Sequence, residues 1–132
     1  NTAAKKTEKL RNKEHKKLSN FGVSVNLVGE ARMRELNRKY RRKDKPTDVL
    51  SFPLSEKSII HNPKSIIQDL GDIFLCLSIA KKDATRENVS VKEKLAQLTV
   101  HGFLHLLGYD HEESEASAKK MFDLERRILS KI

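Results

Sequence analysis

The most apolar stretch of the chain spans residues 91–107 and is hydrophobic on more than one side. An amphipathic surface helix carries apolar residues on one face only, whereas a helix that is apolar all round is buried. The stretch therefore predicts a helix in the centre of the protein. Its apolar residues are Leu95, Ala96, Leu98, Val100, Phe103, Leu104, Leu106 and Leu107.

Two further helices show a single apolar stripe. Met33, Leu36 and Tyr40 fall at helical spacing, which leaves the charged residues between them for solvent. A last helix opens near Ser114, a possible N-cap. Its predicted buried stripe consists of Ala118, Met121, Phe122, Ile128 and Leu129.

Alternation of apolar and polar residues predicts three short strands, at residues 24–28, 48–52 and 72–77. Residues 55–68 mix Ser, Asn, Pro and Lys, which is typical of a surface connection. These elements predict one α+β domain over residues 1–132. Its small sheet, mixed or mostly antiparallel, packs against helices with the most apolar helix in the middle.

Composition agrees with a small soluble protein, since 37% hydrophobic and 34% charged residues in a chain of 132 allow a modest core. No apolar run approaches the roughly 20 residues that a membrane span requires, so we expect a cytoplasmic protein without a membrane partner. The single cysteine, Cys76, lies in the run IFLCLSI. We expect it to be a buried strand residue and not a metal ligand or a reactive thiol.

The net charge of +9 is concentrated in the first third of the chain. Residues 1–45 contain 15 lysines and arginines and 5 acidic residues, whereas residues 46–132 contain 12 and 13. Such a basic field attracts polyphosphates by releasing their counterions, so nucleic acid is the first candidate partner and an anionic membrane surface the second. Residues 4–17, which are rich in lysine, are better explained as the solvated face of a helix.

The segment RKYRRKDK at residues 38–45 places six cations and one aromatic ring between a predicted helix and a predicted strand. Cations clustered where a helix passes into a turn suit contacts with phosphate groups. The predicted nucleic-acid contacts are Arg38, Lys39, Arg42 and Lys45.

Three histidines stand in the sequence HGFLHLLGYDH, residues 101–111. His101 and His105 are four residues apart, so a helix with about 3.6 residues per turn presents both on one face. Gly108 can adopt the left-handed conformation that ends a helix, and the chain can then return His111 toward the other two. Three neutral imidazoles around one point predict a zinc site with an open fourth position, one zinc per chain.

The alternative is that these are core-facing or capping histidines. It is weaker, because burying three imidazoles on one face without a metal leaves polar nitrogen atoms that need partners. The remaining histidines, His15 and His61, are expected to be exposed and not to bind metal.

The spacing of the three histidines matches the pattern HExxHxxGxxH of the metzincin zinc proteases at every position but one. Those proteases carry a glutamate as general base where this chain has Gly102. Peptide hydrolysis by that route is therefore disfavoured.

Residues 101–111 as a whole instead resemble the signature of the YbeY family of bacterial endoribonucleases. Residues 37–53, NRKYRRKDKPTDVLSFP, resemble a second hallmark segment of that family, and residues 70–73, LGDI, resemble a third. The resemblance extends from about Val23 to the C-terminus.

The resemblance implies the same α+β architecture and a zinc-dependent endoribonuclease specific for single-stranded RNA. It further implies 16S rRNA 3′-end maturation and ribosome quality control, with ribosomal RNA and the small ribosomal subunit as partners and no role for DNA. It also implies that Arg41 lies near the metal and is needed for RNA cleavage. The structural alternative is that Arg41 forms a salt bridge with Asp44 or Asp48.

In the mechanism that these residues suggest, a zinc ion with an open position lowers the pKa of water from near 15.7 toward about 7 and draws charge from a phosphoryl oxygen. Arg41 stabilises the negative charge that develops on the phosphodiester. The general base is left open: Gly102 cannot serve, and Asp110 is near enough in sequence to orient a water or a histidine. The nucleophile is also left open, since it can be water or the 2′-hydroxyl of the RNA. Glu125 interrupts the stripe of the last helix. It pairs with a buried cation, orients a histidine or lies at the edge of the stripe.

Two rival functions fit the same motifs. A metal-dependent hydrolase of peptides or another small substrate would need a base from elsewhere in the chain. A non-catalytic ribosome-assembly factor would use zinc structurally, with its fourth coordination position closed.

Overall fold

The computed structural model describes residues 21–54 and 68–132. In chain order its elements are β1 (Phe21–Val28), α1 (Glu30–Arg41), β2 (Val49–Pro53), β3 (Gln68–Cys76), α2 (Leu77–Glu87), α3 (Val91–Leu106) and α4 (Glu115–Leu129). They build an α+β domain, as the sequence predicted. The predicted surface connection lies outside the described residues except for its last position, and His15 and His61 lie outside them too.

The strands of the described residues form a sheet in the order β1-β3-β2, with β3 in the centre. β1 runs parallel to β3, and β2 runs antiparallel to it with Ser51 opposite Ile73. The sheet is therefore mixed, one of the two forms predicted. Gly71 of β3 has φ +132°, and a Cβ there would lie 2.3 Å from the carbonyl oxygen of Phe52, so only glycine allows β2 to pair this closely.

α3 lies in the middle of the domain, as predicted, and packs against β2, β3, α2 and α4. It begins after Ser90, whose side chain accepts a hydrogen bond from the N–H of Glu93. The buried residues around it are Ile73, Leu75, Ala80, Leu98 and Leu106 toward the sheet, and Val100, Leu104 and Met121 toward α4. Although α3 is apolar, no helix in the described part of the chain is both long and apolar enough to span a membrane.

Sequence reasoning missed α2 and extended the third strand one residue too far, to Leu77. The apolar run IFLCLSIA crosses the boundary between β3 and α2 without a glycine or proline to mark a turn. The fully buried residues of α2 are the small Ala80 and Ala84, which make a weak helical stripe. The helix ends at Asn88, in the left-handed conformation with φ 56°.

Three residues that were predicted to be buried are exposed instead. Tyr40 is 52% exposed, Phe122 57% and Leu107 44%. In α1 the polar residue Asn37 lies in the core in place of Tyr40, and it is 2% exposed. Leu107 follows the last residue of α3, where the chain is already leaving the helix.

Candidate metal centre and basic cleft

The histidine cluster, defined as His101, His105 and His111, lies at the C-terminal end of α3. One nitrogen atom from each ring lies within 4.8 Å of the others, and the Nε2 atoms of His101 and His105 are 3.0 Å apart. Nitrogen ligands of a single metal ion lie a few ångströms from one another, and the three rings have that spacing. The cluster could therefore hold a metal ion.

The turn after α3 brings His111 to the other two rings. Gly108 has φ +98°, and the N–H of Tyr109 donates a hydrogen bond to the carbonyl oxygen of Leu104. This geometry reverses the chain at the helix end, as the glycine predicted. The ring of His111 lies 5.3 Å from that of His105 and 5.4 Å from that of His101, centroid to centroid.

Glu125 of α4 forms a short hydrogen bond with Nδ1 of His101, across 24 residues of sequence. A carboxylate that accepts the Nδ1 proton fixes the ring in the tautomer whose Nε2 carries a lone pair. The Nε2 atom of His101 is the one that faces His105. Of the alternatives predicted for Glu125, contact with a histidine is confirmed.

The pKa of His105 is lowered, chiefly by burial and further by the neighbouring rings of His101 and His111. A hydrogen bond with the Tyr109 backbone and the nearby Asp110 carboxylate oppose this shift. A lowered pKa keeps the imidazole neutral at physiological pH, and a neutral imidazole is the form that binds metal ions.

The histidine cluster opens into a cleft of about 650 Å³, which we call the basic cleft. α1, the segment after it, β2, α3 and the turn after α3 all contribute to its walls. Besides the histidines, its charged lining residues are Arg41, Lys43, Lys45, Asp48, Asp110 and Glu112. The cleft thus combines a cluster of potential metal ligands with three cations from α1 and the segment after it, which attract anionic groups, and with three carboxylates.

Arg41 is held against β2. Its Nη2 donates a hydrogen bond of 2.8 Å to the carbonyl oxygen of Ser51, and its Cζ lies 5.2 Å from the centroid of the Phe52 ring. Asp44, one of the two carboxylates expected to pair with it, is instead bound by Arg34 at 2.9 and 3.0 Å. That hydrogen bond lowers the pKa of Asp44.

The alternative in which Arg41 forms a salt bridge with Asp44 is therefore wrong. Asp48, the other expected partner, uses its Oδ1 to accept a hydrogen bond of 2.7 Å from the N–H of Val49 at the start of β2. No ion pair joins Arg41 to Asp48 within the described ranges. Arg41 therefore lines the cleft without a carboxylate partner in the described part of the chain.

Asn37 holds the basic segment, residues 38–45, beside the histidine cluster. Its side chain is in the core, and its Nδ2 donates a hydrogen bond of 2.8 Å to the carbonyl oxygen of Lys45. The N–H of Lys43 donates to the carbonyl oxygen of Asn37, after Arg42 turns the chain with φ 58°. Sequence reasoning missed Asn37, Lys43 and Ser51, although a polar residue within the apolar stripe of α1 is a signal that could have pointed to Asn37.

The four predicted nucleic-acid contacts divide into two sets. Lys45 lines the basic cleft. Arg38, Lys39 and Arg42 are exposed at the end of α1 and are not among the residues that line the cleft. The Nζ atom of Lys39 lies 5.2 Å from the centroid of the Tyr40 ring, on the surface of α1.

Gly102 faces the sheet and not the cleft. A Cβ at this position would lie 2.9 Å from Cγ2 of Ile73 and 3.0 Å from Oγ of Ser51. The Ser51 hydroxyl donates a hydrogen bond of 3.0 Å to the carbonyl oxygen of Gly102, which ties β2 to α3. A glutamate at position 102, as in the metzincin proteases, would therefore clash with the sheet.

The fold and the site together define an α+β domain with potential metal ligands in a basic cleft.

Comparisons with known proteins identify the family. The family model described as "Endoribonuclease YbeY" matches residues 1–132. A protein of that name from Persephonella marina is 44% identical over 119 residues, which cover 90% of this chain and 75% of the relative. One from Aquifex aeolicus is 42% identical over 115 residues, covering 87% and 73%.

A solution structure of a protein from Thermotoga maritima matches this chain with a TM-score of 0.59 and 35% identity. The match covers 93% of this chain and 75% of that one. The chain therefore belongs to the Endoribonuclease YbeY family, and the resemblance noted in the sequence is confirmed.

Proposed function

We propose that this protein is a zinc-dependent endoribonuclease that cleaves single-stranded RNA. One observation carries the proposal: in a chain of this family, the histidine cluster and Arg41 line the same cleft. A metal centre beside a guanidinium suits a reaction in which negative charge builds up on a phosphodiester.

The donor set suits zinc. Imidazole is a preferred zinc ligand, and three protein ligands leave a coordination position for substrate or water. We propose His101, His105 and His111 as the ligands. When bound, zinc supplies Lewis-acid chemistry that draws charge from a phosphoryl oxygen and makes water acidic enough to act as a nucleophile near neutral pH.

The residues of the chain itself have separate roles in this proposal. Arg41 would contact the phosphodiester at two points with its planar fork and stabilise the charge of the transition state. Lys43 and Lys45 would attract the neighbouring phosphates. Asp48, Asp110 and Glu112 line the cleft and are the candidates to hold a proton, whether the nucleophile is water or the 2′-hydroxyl.

We propose that the biological substrate is ribosomal RNA on the small subunit. The reaction would be maturation of the 16S rRNA 3′ end, with a further role in ribosome quality control, in the cytoplasm. The family supports an RNA substrate, and the basic first third of the chain suits a partner as rich in phosphate as the ribosome.

The function is tested with purified protein at known metal content. We expect cleavage of a single-stranded RNA, little cleavage of a duplex RNA, no hydrolysis of casein, and loss of activity with a chelator. Casein hydrolysis would favour a metal-dependent peptidase. RNA binding without cleavage, with metal that a chelator removes only on unfolding, would favour an assembly factor with a structural zinc.

RNA affinity should fall steeply as salt increases. Each phosphate neutralised on a single strand contributes about 0.7 to the slope of log K against log [salt], so the variant lacking Arg38, Arg42 and Lys45 should lose up to about 2 from that slope. Filter binding across a salt series measures this, and metal content should not change. A salt-independent affinity would refute the electrostatic interpretation.

Glu125→Ala should weaken metal binding by about 10- to 100-fold, because His101 loses the carboxylate that orients its ring. Competition with a chelator of known affinity measures the loss. Glu125→Gln keeps an oxygen that can accept the Nδ1 proton, so it should bind metal better than Glu125→Ala. Equal affinity in wild type and both variants would mean that Glu125 has no role at the metal centre.

A further inference from the structure

A second cavity adjoins the histidine cluster on the side of α4. It has a volume of about 440 Å³, and we call it the α4 groove. His101 and His111 line both this groove and the basic cleft, so the two cavities adjoin at the histidine cluster. Its other lining residues are Ala118, Lys119, Met121, Phe122 and Glu125.

The groove has an apolar floor and an exposed aromatic ring. Ala118, Met121 and Phe122 stand at i, i+3 and i+4 on α4, so they share one helical face. Met121 is 1% exposed and packs into the core against α3, whereas Phe122 is 57% exposed. A single exposed apolar residue is ordinary on a protein surface, so the meaning of Phe122 depends on its surroundings.

Two cationic side chains lie close to the groove or to the Phe122 ring. Lys119 lines the groove, and the Cζ atom of Arg126 lies 5.8 Å from the centroid of the Phe122 ring. The Glu125 carboxylate in the groove is engaged by His101. An aromatic ring near cationic side chains, in a groove that adjoins the proposed phosphodiester site, offers both the flat surface and the charge that a nucleotide requires.

We propose that the α4 groove binds an unpaired nucleobase of the RNA substrate, stacked on Phe122, with Lys119 and Arg126 near its phosphates. The inference rests on the proposed function and adds a basis for selecting single strands. Only an unpaired base can leave its own stack and expose its face to an aromatic side chain. A base within a duplex cannot reach the ring without first being unpaired, so duplex RNA would bind less well.

The test uses Phe122→Trp as a fluorescent reporter. The chain contains no tryptophan, so this variant carries a single indole at the proposed stacking position. Chelator-treated protein is titrated with a short single-stranded oligoadenylate and with an abasic ribose-phosphate strand of the same length. We expect quenching by the oligoadenylate and little by the abasic strand. Val25→Trp, on the exposed edge strand β1, is the matched reporter and should respond equally weakly to both.

A kinetic measurement on the metal-loaded enzyme is the second arm. Phe122→Ala should raise KM for single-stranded RNA about tenfold, which corresponds to the loss of one stacked base, with kcat nearly unchanged. Phe122→Tyr keeps the aromatic face and should remain close to wild type, whereas Phe122→Leu should behave as Phe122→Ala does. A merely structural role would lower the melting temperature and would not separate Tyr from Leu in KM.

The outcomes separate the two proposals. Wild-type cleavage of RNA with equal quenching by both strands overturns the stacking site and leaves the proposed function intact. Self-association in sedimentation that Phe122→Ala abolishes would assign the groove to a second copy of the chain and would also overturn it. Failure of the wild type to cleave RNA overturns both.

Discussion

Replacing His105 with alanine should reduce the metal content from about one ion per chain to near zero and abolish RNA cleavage. His105 supplies one of the three potential ligand nitrogens, and its ring centroid lies 4.6 Å from that of His101 and 5.3 Å from that of His111. Two imidazoles without a third protein ligand form a much weaker site. Elemental analysis of the purified protein decides whether the metal is lost.

A folding defect would give a different result. Alanine favours a helix more than histidine does, so the metal-free variant should melt close to the metal-free wild type. Added zinc should raise the melting temperature of the wild type, because a ligand that binds the folded state stabilises it, and should leave His105→Ala unchanged. His61→Ala is the matched control and should keep its metal. Equal metal content in wild type and His105→Ala would show that the ligand assignment is wrong.

The histidine cluster was predictable because its geometry is local. A spacing of four residues on a helix brings His101 above His105, and a glycine at the helix end permits the turn that returns His111. The structure has both features, with Gly108 in the left-handed region. A site held within eleven consecutive residues, 101–111, needs no knowledge of the rest of the fold.

Contacts between distant parts of the chain were not predictable in the same way. Ser51 joins Arg41 to α3 by accepting a hydrogen bond at its carbonyl and donating one from its hydroxyl. The Asn37 side chain holds the backbone of Lys45. Each contact depends on how strands and helices pack, and no periodicity in one segment carries that information.

The failure to predict α2 and the wrong prediction that Tyr40 and Phe122 are buried have a related cause. Strand β3 passes directly into α2 through an apolar run, and periodicity cannot locate a boundary between two buried elements. Phe122 falls at helical spacing with buried residues, yet its position on α4 turns it toward the α4 groove. A stripe in the sequence predicts which face is apolar, and only packing decides how much of that face is covered.

Arg41→Ala should lower the rate of single-strand RNA cleavage about a hundredfold, with metal content nearly unchanged. Removal of one group that stabilises transition-state charge typically costs this much. Its contacts in the free protein are one hydrogen bond to the Ser51 carbonyl and the face of Phe52. Their loss from an exposed side chain should cost only about 1 kcal/mol of stability. Arg32→Ala removes another exposed guanidinium of α1, and it should cleave at nearly the wild-type rate.

Arg41→Lys separates a catalytic arginine from a structural one. A lysine ammonium can still donate one hydrogen bond to the Ser51 carbonyl, but it cannot reproduce the planar two-point contact of a guanidinium with a phosphodiester. If Arg41 acts on the transition state, the lysine variant should keep its melting temperature and remain far below wild type in rate. If Arg41 only ties α1 to β2, the alanine variant should be less stable but should cleave normally per folded molecule. The lysine variant should then have the stability and the cleavage rate of the wild type. Rates measured at equal metal content distinguish these cases, and full activity in Arg41→Ala would exclude the catalytic role.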